Sequence, residues 1–222
     1  MDQLTEYLSQ FVSADRKEKI EKVLSKRTNY LTVVLEDIYK SQNASAVLRT
    51  CECFGIQNIH IIESKHKYEI NPDVTIGSDK WLNLHFYNSY ENNTIECINQ
   101  LKAKGYKIVG TTPHEQDNTI YDIEVNSSPL AIIFGSEKLG LSQDAINNCD
   151  YFLKIPMVGF SESFNISVSA AITIQHLLYR LKQLSKDIYF SKSELDSLRL
   201  KWYQNSIKKS KIIVEDFLNK IK

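Results

Sequence analysis

The sequence predicts an α/β fold on a parallel sheet. Three observations carry that prediction: short β-rich apolar runs recur along the chain, amphipathic helical stretches separate them, and polar loops with small residues follow several of the runs. Before residue 28, Leu4, Tyr7, Leu8 and Phe11, then Ile20, Val23 and Leu24, recur at helical spacing and predict two short amphipathic helices. From Leu31 the period changes. The runs L-T-V-V-L-E (31–36), N-I-H-I-I-E (58–63), Y-K-I-V-G-T (106–111), L-A-I-I-F (130–134) and Y-F-L-K-I (151–155) suit strands buried on both faces, as in a parallel sheet. Helices are predicted over 43–54 and 92–104, the second closed by Gly105 just beyond its C-cap. A long apolar-periodic stretch over 164–184 predicts one more helix. Another over 192–222 carries Leu195, Leu198, Trp202, Ile213 and Phe217. The expected organisation is a helical extension over 1–27, an α/β domain over 28–184 and a basic helical extension over 185–222.

A chain of 222 residues with 42% apolar, 10% aromatic and 24% charged residues holds one domain with extensions and is not disordered. Seven Gly and four Pro exclude collagenous or linker-rich designs. Lys plus Arg equals Asp plus Glu at 27 each, which taken alone argues against a nucleic-acid partner. Division by region changes that inference. Residues 1–27 hold 6 basic and 5 acidic side chains, 28–179 hold 10 and 17, and 180–222 hold 11 and 5. The zero is a cancellation between an acidic core and a basic tail, and the tail is either a nucleic-acid surface or a solvated helix face.

Cys51, Cys53, Cys97 and Cys149 contain no C-x-x-C pair, and the polar, acidic start M-D-Q-L-T-E-Y is no signal peptide. No apolar run reaches the roughly 18–20 residues that cross a bilayer. A cytoplasmic protein with reduced thiols is expected, with no membrane partner. His60, His66, His85, His114 and His176 are scattered without ligand spacing, so no metal is expected and all nine residues read as structural.

Three segments carry candidate chemistry. G-S-E-K-L-G-L-S (135–142) has the G-x-x-x-x-G spacing of a phosphate loop, but Leu141 stands where the Lys belongs and Glu137 would place a carboxylate in an anion cradle. Triphosphate binding is therefore disfavoured. S-Q-N-A-S-A-V-L-R-T (41–50) offers Asn43 as a helix cap and Arg49 as either a phosphate clamp or the surface partner of Glu52 or Glu36. In 155–171, a strand end and a Gly-containing loop deliver Ser163 and Asn165 to a helix start, either as N-caps or as ligand groups. Ligand sites of open α/β sheets form where such loops leave the carboxyl ends of strands.

Taken together, N-x-x-A-x-x-R-T (43–50), F-G-S-E-K-L-G-L-S (134–142) and I-P-M-x-G-x-x-x-S-x-N-x-S-V (155–168) resemble, in order and spacing, the three motifs of the SPOUT-class RNA 2′-O-ribose methyltransferases. The resemblance spans roughly residues 30–180. It leans to the branch acting on guanosine 18 of tRNA, because few residues precede the first strand and G-S-D-K-W (77–81) is similar to a segment of those enzymes. The alternatives are a ribosomal-RNA target or another tRNA position, and a non-catalytic RNA-binding module of the same fold.

The resemblance implies a parallel sheet whose C-terminal part is tied in a trefoil knot, and a homodimer. It implies S-adenosylmethionine as cofactor, held around Thr111, Gly135, Ile155 and Phe164, where the family usually has Leu at the last position. Arg49 is implied as the residue that activates the ribose hydroxyl, either near a substrate phosphate or as a base. A neutral Arg is costly at a pKa above about 12, which favours the phosphate. Asn43, Glu137, Ser163 and Asn165 match the other polar positions, with Glu137 expected to pair with Arg49, and Asn43 and Asn165 to orient Arg49 or the ribose. Lys201, Lys208, Lys209 and Lys211 are nominated for RNA contact.

Overall fold

The computed structural model describes residues 3–113 and 118–220, and the chain divides into two compact units, 1–28 with 189–222, and 29–188. His114 lies outside the described residues. In the first unit, α1 (Gln3–Ser9) and α2 (Ala14–Leu24) match the two helices expected there. Leu8, Ile20 and Leu24 are buried, and the guanidinium of Arg27 lies 5.0 Å over the ring of buried Trp202.

The second unit holds β1 (Leu31–Glu36), α3 (Ser41–Cys53), β2 (Asn58–Ile62), α4 (Pro72–Thr75), a 3-10 turn at Asp79–Trp81, β3 (Asn83–Tyr87) and α5 (Asn93–Ala103). It continues with β4 (Lys107–Thr111), β5 (Asn118–Thr119), β6 (Leu130–Phe134), α6 (Gln143–Asn148), β7 (Tyr151–Lys154) and α7 (Ile166–Gln183). Back in the first unit, α8 (Lys192–Ser206) and α9 (Ser210–Lys220) end the described chain. The single helix expected over 192–222 is broken because Lys209 adopts a left-handed φ of 62°, which no α-helix accommodates.

The described strands pair in parallel in the order β3-β2-β1-β6-β4-β7-β5. All five expected strands are present. The expectation missed β5, only two residues long, and β3, an edge strand whose Asn83 and His85 interrupt the apolar run that marks a buried strand. Side chains alternate as the pleat requires. Val33, Leu35, Ile132 and Phe134 pack on one face with Val47 and Leu48 of α3 and Ile174 and Leu177 of α7. Val34, Ile108, Ala131 and Ile133 pack on the other with Ile98 and Leu101 of α5 and Ala145 of α6. Gly105 closes α5 with φ +85°, the left-handed turn that glycine adopts without strain.

Burial on both faces explains why 31–36 and 130–134 are mostly apolar, and it makes a buried charge there informative. Glu36, the last residue of β1, is 2% exposed. Its carboxylate accepts hydrogen bonds from the Thr94 hydroxyl (2.7 Å), the Ser142 amide (2.9 Å) and the Ser142 hydroxyl (2.7 Å). Thr94 and Ser142 sit at the N-terminal ends of α5 and α6, where the helix dipole favours negative charge. The carboxylate thereby ties β1 to the loop that leaves β6. Glu36→Ala removes all three bonds and leaves the Thr94 and Ser142 donors facing a cavity. Urea denaturation should show a loss of about 2–4 kcal/mol with an unchanged m-value.

Candidate active site

Strands β1 and β6 are neighbours, with Leu35 level with Phe134, yet their following helices cover opposite faces of the sheet. A crevice opens at the carboxyl ends of such a pair. The loops after both strands contain sequence-selected residues, and the loop before α7 adds a third set.

The loop after β6 is a tight turn in which Ser136 and Gly140 exchange two backbone hydrogen bonds of 2.9 Å, closed by Gly140 at φ +67°. Gly135 has no room for a side chain. A Cβ there would lie 2.3 Å from the carbonyl carbon of Gly140. Ser142 then caps α6, its hydroxyl accepting from the Ala145 amide at 3.1 Å.

Within this frame Glu137 reaches across to the start of α3. Its carboxylate accepts the backbone N–H of Tyr39 (3.0 Å) and Lys40 (3.4 Å) and the side-chain amide of Asn43 (2.7 Å). The Asn43 carbonyl in turn accepts the amide of Asn165 at 3.2 Å. Asn165 caps α7, its own oxygen accepting the Ser167 amide (2.9 Å) and hydroxyl (2.7 Å). Each amide therefore has one orientation. The Ser167 donors take the Asn165 oxygen, which turns its NH₂ to Asn43, and that turns the Asn43 NH₂ to the carboxylate.

Several expectations are corrected here. Glu137 does not pair with Arg49; its carboxylate meets the Tyr39 and Lys40 N–H groups and the Asn43 amide instead. Asn43 does not cap α3, which begins two residues earlier at Ser41; Asn43 faces Glu137 instead. Arg49 is exposed and makes no hydrogen bond or ion pair among the described residues, so neither Asn43 nor Asn165 orients it. Nor does it pair with Glu36, whose carboxylate is already engaged. Ser163 is exposed without a hydrogen bond of its own among the described residues.

Three further sequence-selected residues end adjacent strands. Thr111 closes β4, Gly135 follows β6 and Ile155 follows β7, and β4 lies between the other two. The Thr111 hydroxyl donates to the Ile133 carbonyl at 2.9 Å. Ile155 packs against the core, while Phe164 is 43% exposed. In the first unit, Lys208, Lys209 and Lys211 are exposed at the turn between α8 and α9, whereas Lys201 is half-buried and desolvation lowers its pKa.

All four cysteines are free thiols. The structure does bring together two histidines that looked scattered. His60 stacks on His85 at 4.7 Å, and its Nδ1 lies 3.0 Å from the Tyr87 hydroxyl. Burial, then the charges of His85 and Lys104, pushes His60 down to about 3 and keeps it neutral. Among the described residues, no group of three His, Cys, Asp or Glu is placed to hold a metal ion, and no helix is long and apolar enough to cross a membrane.

Polar loops locked to one another at the carboxyl ends of adjacent parallel strands define a ligand-binding α/β protein. The chain belongs to the SpoU rRNA Methylase family, whose profile matches residues 30–175. It is 45% identical over 212 residues to the tRNA (guanosine(18)-2′-O)-methyltransferase of Borreliella burgdorferi, across 96% of this chain and 94% of that one. The crystal structure of the Aquifex aeolicus TrmH/SpoU tRNA modifying enzyme matches with a TM-score of 0.77 at 25% identity, over 88% of this chain and 98% of that one. The SpoU methyltransferase AviRb of Streptomyces viridochromogenes, solved in complex with AdoMet, shares the fold with a TM-score of 0.61 at 20% identity, over 73% and 64%.

Burial raises the Glu137 pKa, but the hydrogen bonds from Asn43 and from backbone N–H groups outweigh it and hold the carboxyl below its ordinary 4.5. A depressed carboxylate contributes stability that is present above its unfolded value and lost as pH falls through the folded one. Glu137→Gln should thus differ from wild type in denaturation midpoint at neutral pH, and the difference should shrink as pH falls below about 4.

Proposed function

We propose that the protein transfers a methyl group from S-adenosylmethionine to the ribose 2′-hydroxyl of guanosine 18 in the D-loop of tRNA. The observation that carries this reading is the Glu137–Asn43–Asn165 chain, which locks together the three loops bearing the motif residues. The relative from Borreliella burgdorferi, similar over nearly the whole chain, supports tRNA as substrate.

The residues fit the cofactor. Thr111, Gly135 and Ile155 leave three adjacent strands, Gly135 abuts the Gly140 backbone where no side chain fits, and Ile155 and Phe164 provide apolar surface for an adenine. When bound, the cofactor supplies a methyl group activated on a sulfonium. The protein must hold the ribose oxygen in line with it, and positioning of this kind is a large part of such catalysis. Arg49, exposed and unpaired, presents a fixed fork of donors suited to a substrate phosphate. It acts in this reading by anchoring the nucleotide through that fork. Asn43 and Asn165 hold the rim of the site, and exposed Ser163 lies two residues before Asn165.

The same reading assigns a trefoil knot to the C-terminal part of the sheet, supported by the placement of β4 between β6 and β7. It assigns the 28–184 segment as the catalytic domain, the flanking segments as extensions, and a cytoplasmic location. It also assigns a homodimer through the loop before α7 and one face of that helix. Val158 and Phe160 are fully exposed, and Val168 and Tyr179 are 43% and 55% exposed. The turn carrying Lys208, Lys209 and Lys211 supplies phosphate contacts, with half-buried Lys201 less available.

Protein incubated with methyl-labelled S-adenosylmethionine and tRNA should label guanosine 18; label in ribosomal RNA instead would overturn the substrate assignment, and label in neither would favour a binding module. Arg49→Ala should abolish transfer while calorimetric cofactor binding persists. Light scattering at micromolar concentration should return twice the chain mass, and a monomer would remove the dimer. Replacing Lys208, Lys209 and Lys211 together by Ala should weaken tRNA binding and flatten its salt dependence by up to about three contacts.

A further inference from the structure

The loops flanking the Glu137–Asn43 contact carry an exposed aromatic ring that the reading above does not use. Tyr39 is 52% exposed, and its hydroxyl makes no hydrogen bond among the described residues. Its position is nevertheless tightly set, because its backbone N–H donates to Glu137 at 3.0 Å, four residues before Asn43. The Lys138 ammonium lies 4.7 Å over the ring. The His66 ring meets it edge to face, with centroids 5.1 Å apart and planes at 78°.

His66 is itself pinned. Asp37, at φ 50°, accepts the backbone N–H of Ser64 (2.8 Å), Lys65 (2.7 Å) and His66 (3.3 Å) on a single carboxylate oxygen. That clamp fixes the turn after β2 against the loop after β1. On these loops Asp37, Glu63 and Glu137 accept N–H donors, whereas Lys40, Lys65, Lys67 and Lys138, like Glu69, are exposed and outside any ion pair among the described residues. An exposed ring held beside unpaired ammonium groups is the arrangement by which proteins stack unpaired bases and follow their phosphates.

We infer that the Tyr39 ring is a stacking platform for a nucleobase of the RNA substrate at or next to the methylated nucleotide, with Lys138 exchanging its ring contact for a phosphate. This inference rests on the proposed RNA methylation and names how that site grips its substrate. A lysine over an exposed ring is held weakly, so the exchange costs little. The role belongs to the ring alone, since the hydroxyl has no partner to lose.

Tyr39→Ala, Tyr39→Phe and Lys138→Ala should be compared with wild type for tRNA affinity, for KM and kcat of methyl transfer, and for calorimetric binding of S-adenosylmethionine. Tyr39→Ala should weaken tRNA binding about 5- to 100-fold with cofactor affinity and melting temperature unchanged, and Tyr39→Phe should recover wild-type affinity. Lys138→Ala should reduce the salt slope of binding by about one contact, while Tyr39→Ala leaves the slope as it is. Unchanged tRNA affinity and KM in Tyr39→Ala would overturn the inference, as would a Tyr39→Phe variant as weak as Tyr39→Ala. Lost cofactor affinity with a lowered melting temperature in Tyr39→Ala would overturn it too, by showing a structural role. Failure of the proposed reaction is separately visible: wild-type protein would then transfer no methyl group to any RNA.

Discussion

A carboxylate buried at the end of a central strand organises the second unit. Glu36 sits where β1 ends, as the one ionisable residue of a wholly buried strand, and a charge there survives only if donors replace the water it has lost. Thr94 and Ser142 provide them, both from the first turns or caps of helices on one face of the sheet. The arrangement constrains in both directions. The charge needs the helix ends, and the helix ends are held at the level of the strand terminus. Because Ser142 also caps α6 just beyond the turn of residues 136–140, the same contact holds the far end of the loop that leaves β6.

The candidate site inherits this order. Its loops are polar and largely exposed, so burial alone would not define their shape. They are defined instead by a second carboxylate: Glu137 is held by two backbone N–H groups and one amide, and the amide is itself held through Asn165 by the cap of α7. Close approach does the rest. Gly135 abuts the Gly140 backbone at a distance where no Cβ fits, and a Cβ on Gly110 of β4 would crowd the Leu141, Cys149 and Phe152 side chains. The outcome is an ordered set of loops at the carboxyl ends of the strands, with Arg49 exposed and outside any ion pair on α3.

Much of this was legible in advance. Continuous apolar runs announced five strands because both faces of the sheet are covered, and the helices between them followed from periodicity and from Gly105. What escaped is equally physical. An edge strand such as β3 lacks the apolar run because polar Asn83 and His85 lie on it within hydrogen-bond distance of the Asn58 side-chain oxygen on β2. The break at Lys209 has no glycine to mark it. Motif spacing selected Asn43, Glu137 and Asn165, but a one-dimensional pattern does not say which donor meets which acceptor, and so Glu137 was matched with Arg49. Tyr39 carried no signal beyond its neighbourhood: an aromatic residue four positions before Asn43 reads as core until its exposure is known.

The sequence by itself determined five of the strands and the helices between and around them, the identity of the polar residues at the three loops, and the separation of an acidic core from a basic tail. These are local properties, set by hydrophobic period, turn chemistry and composition. Only the tertiary structure decided that the loops after β1 and β6 meet, that Glu36 and Glu137 are carboxylates held by helix ends and amides, and that Arg49 and Tyr39 remain open to solvent. Those facts depend on which strands lie side by side. Strand order is chosen by packing of the whole sheet, and no residue's immediate neighbours along the chain encode it.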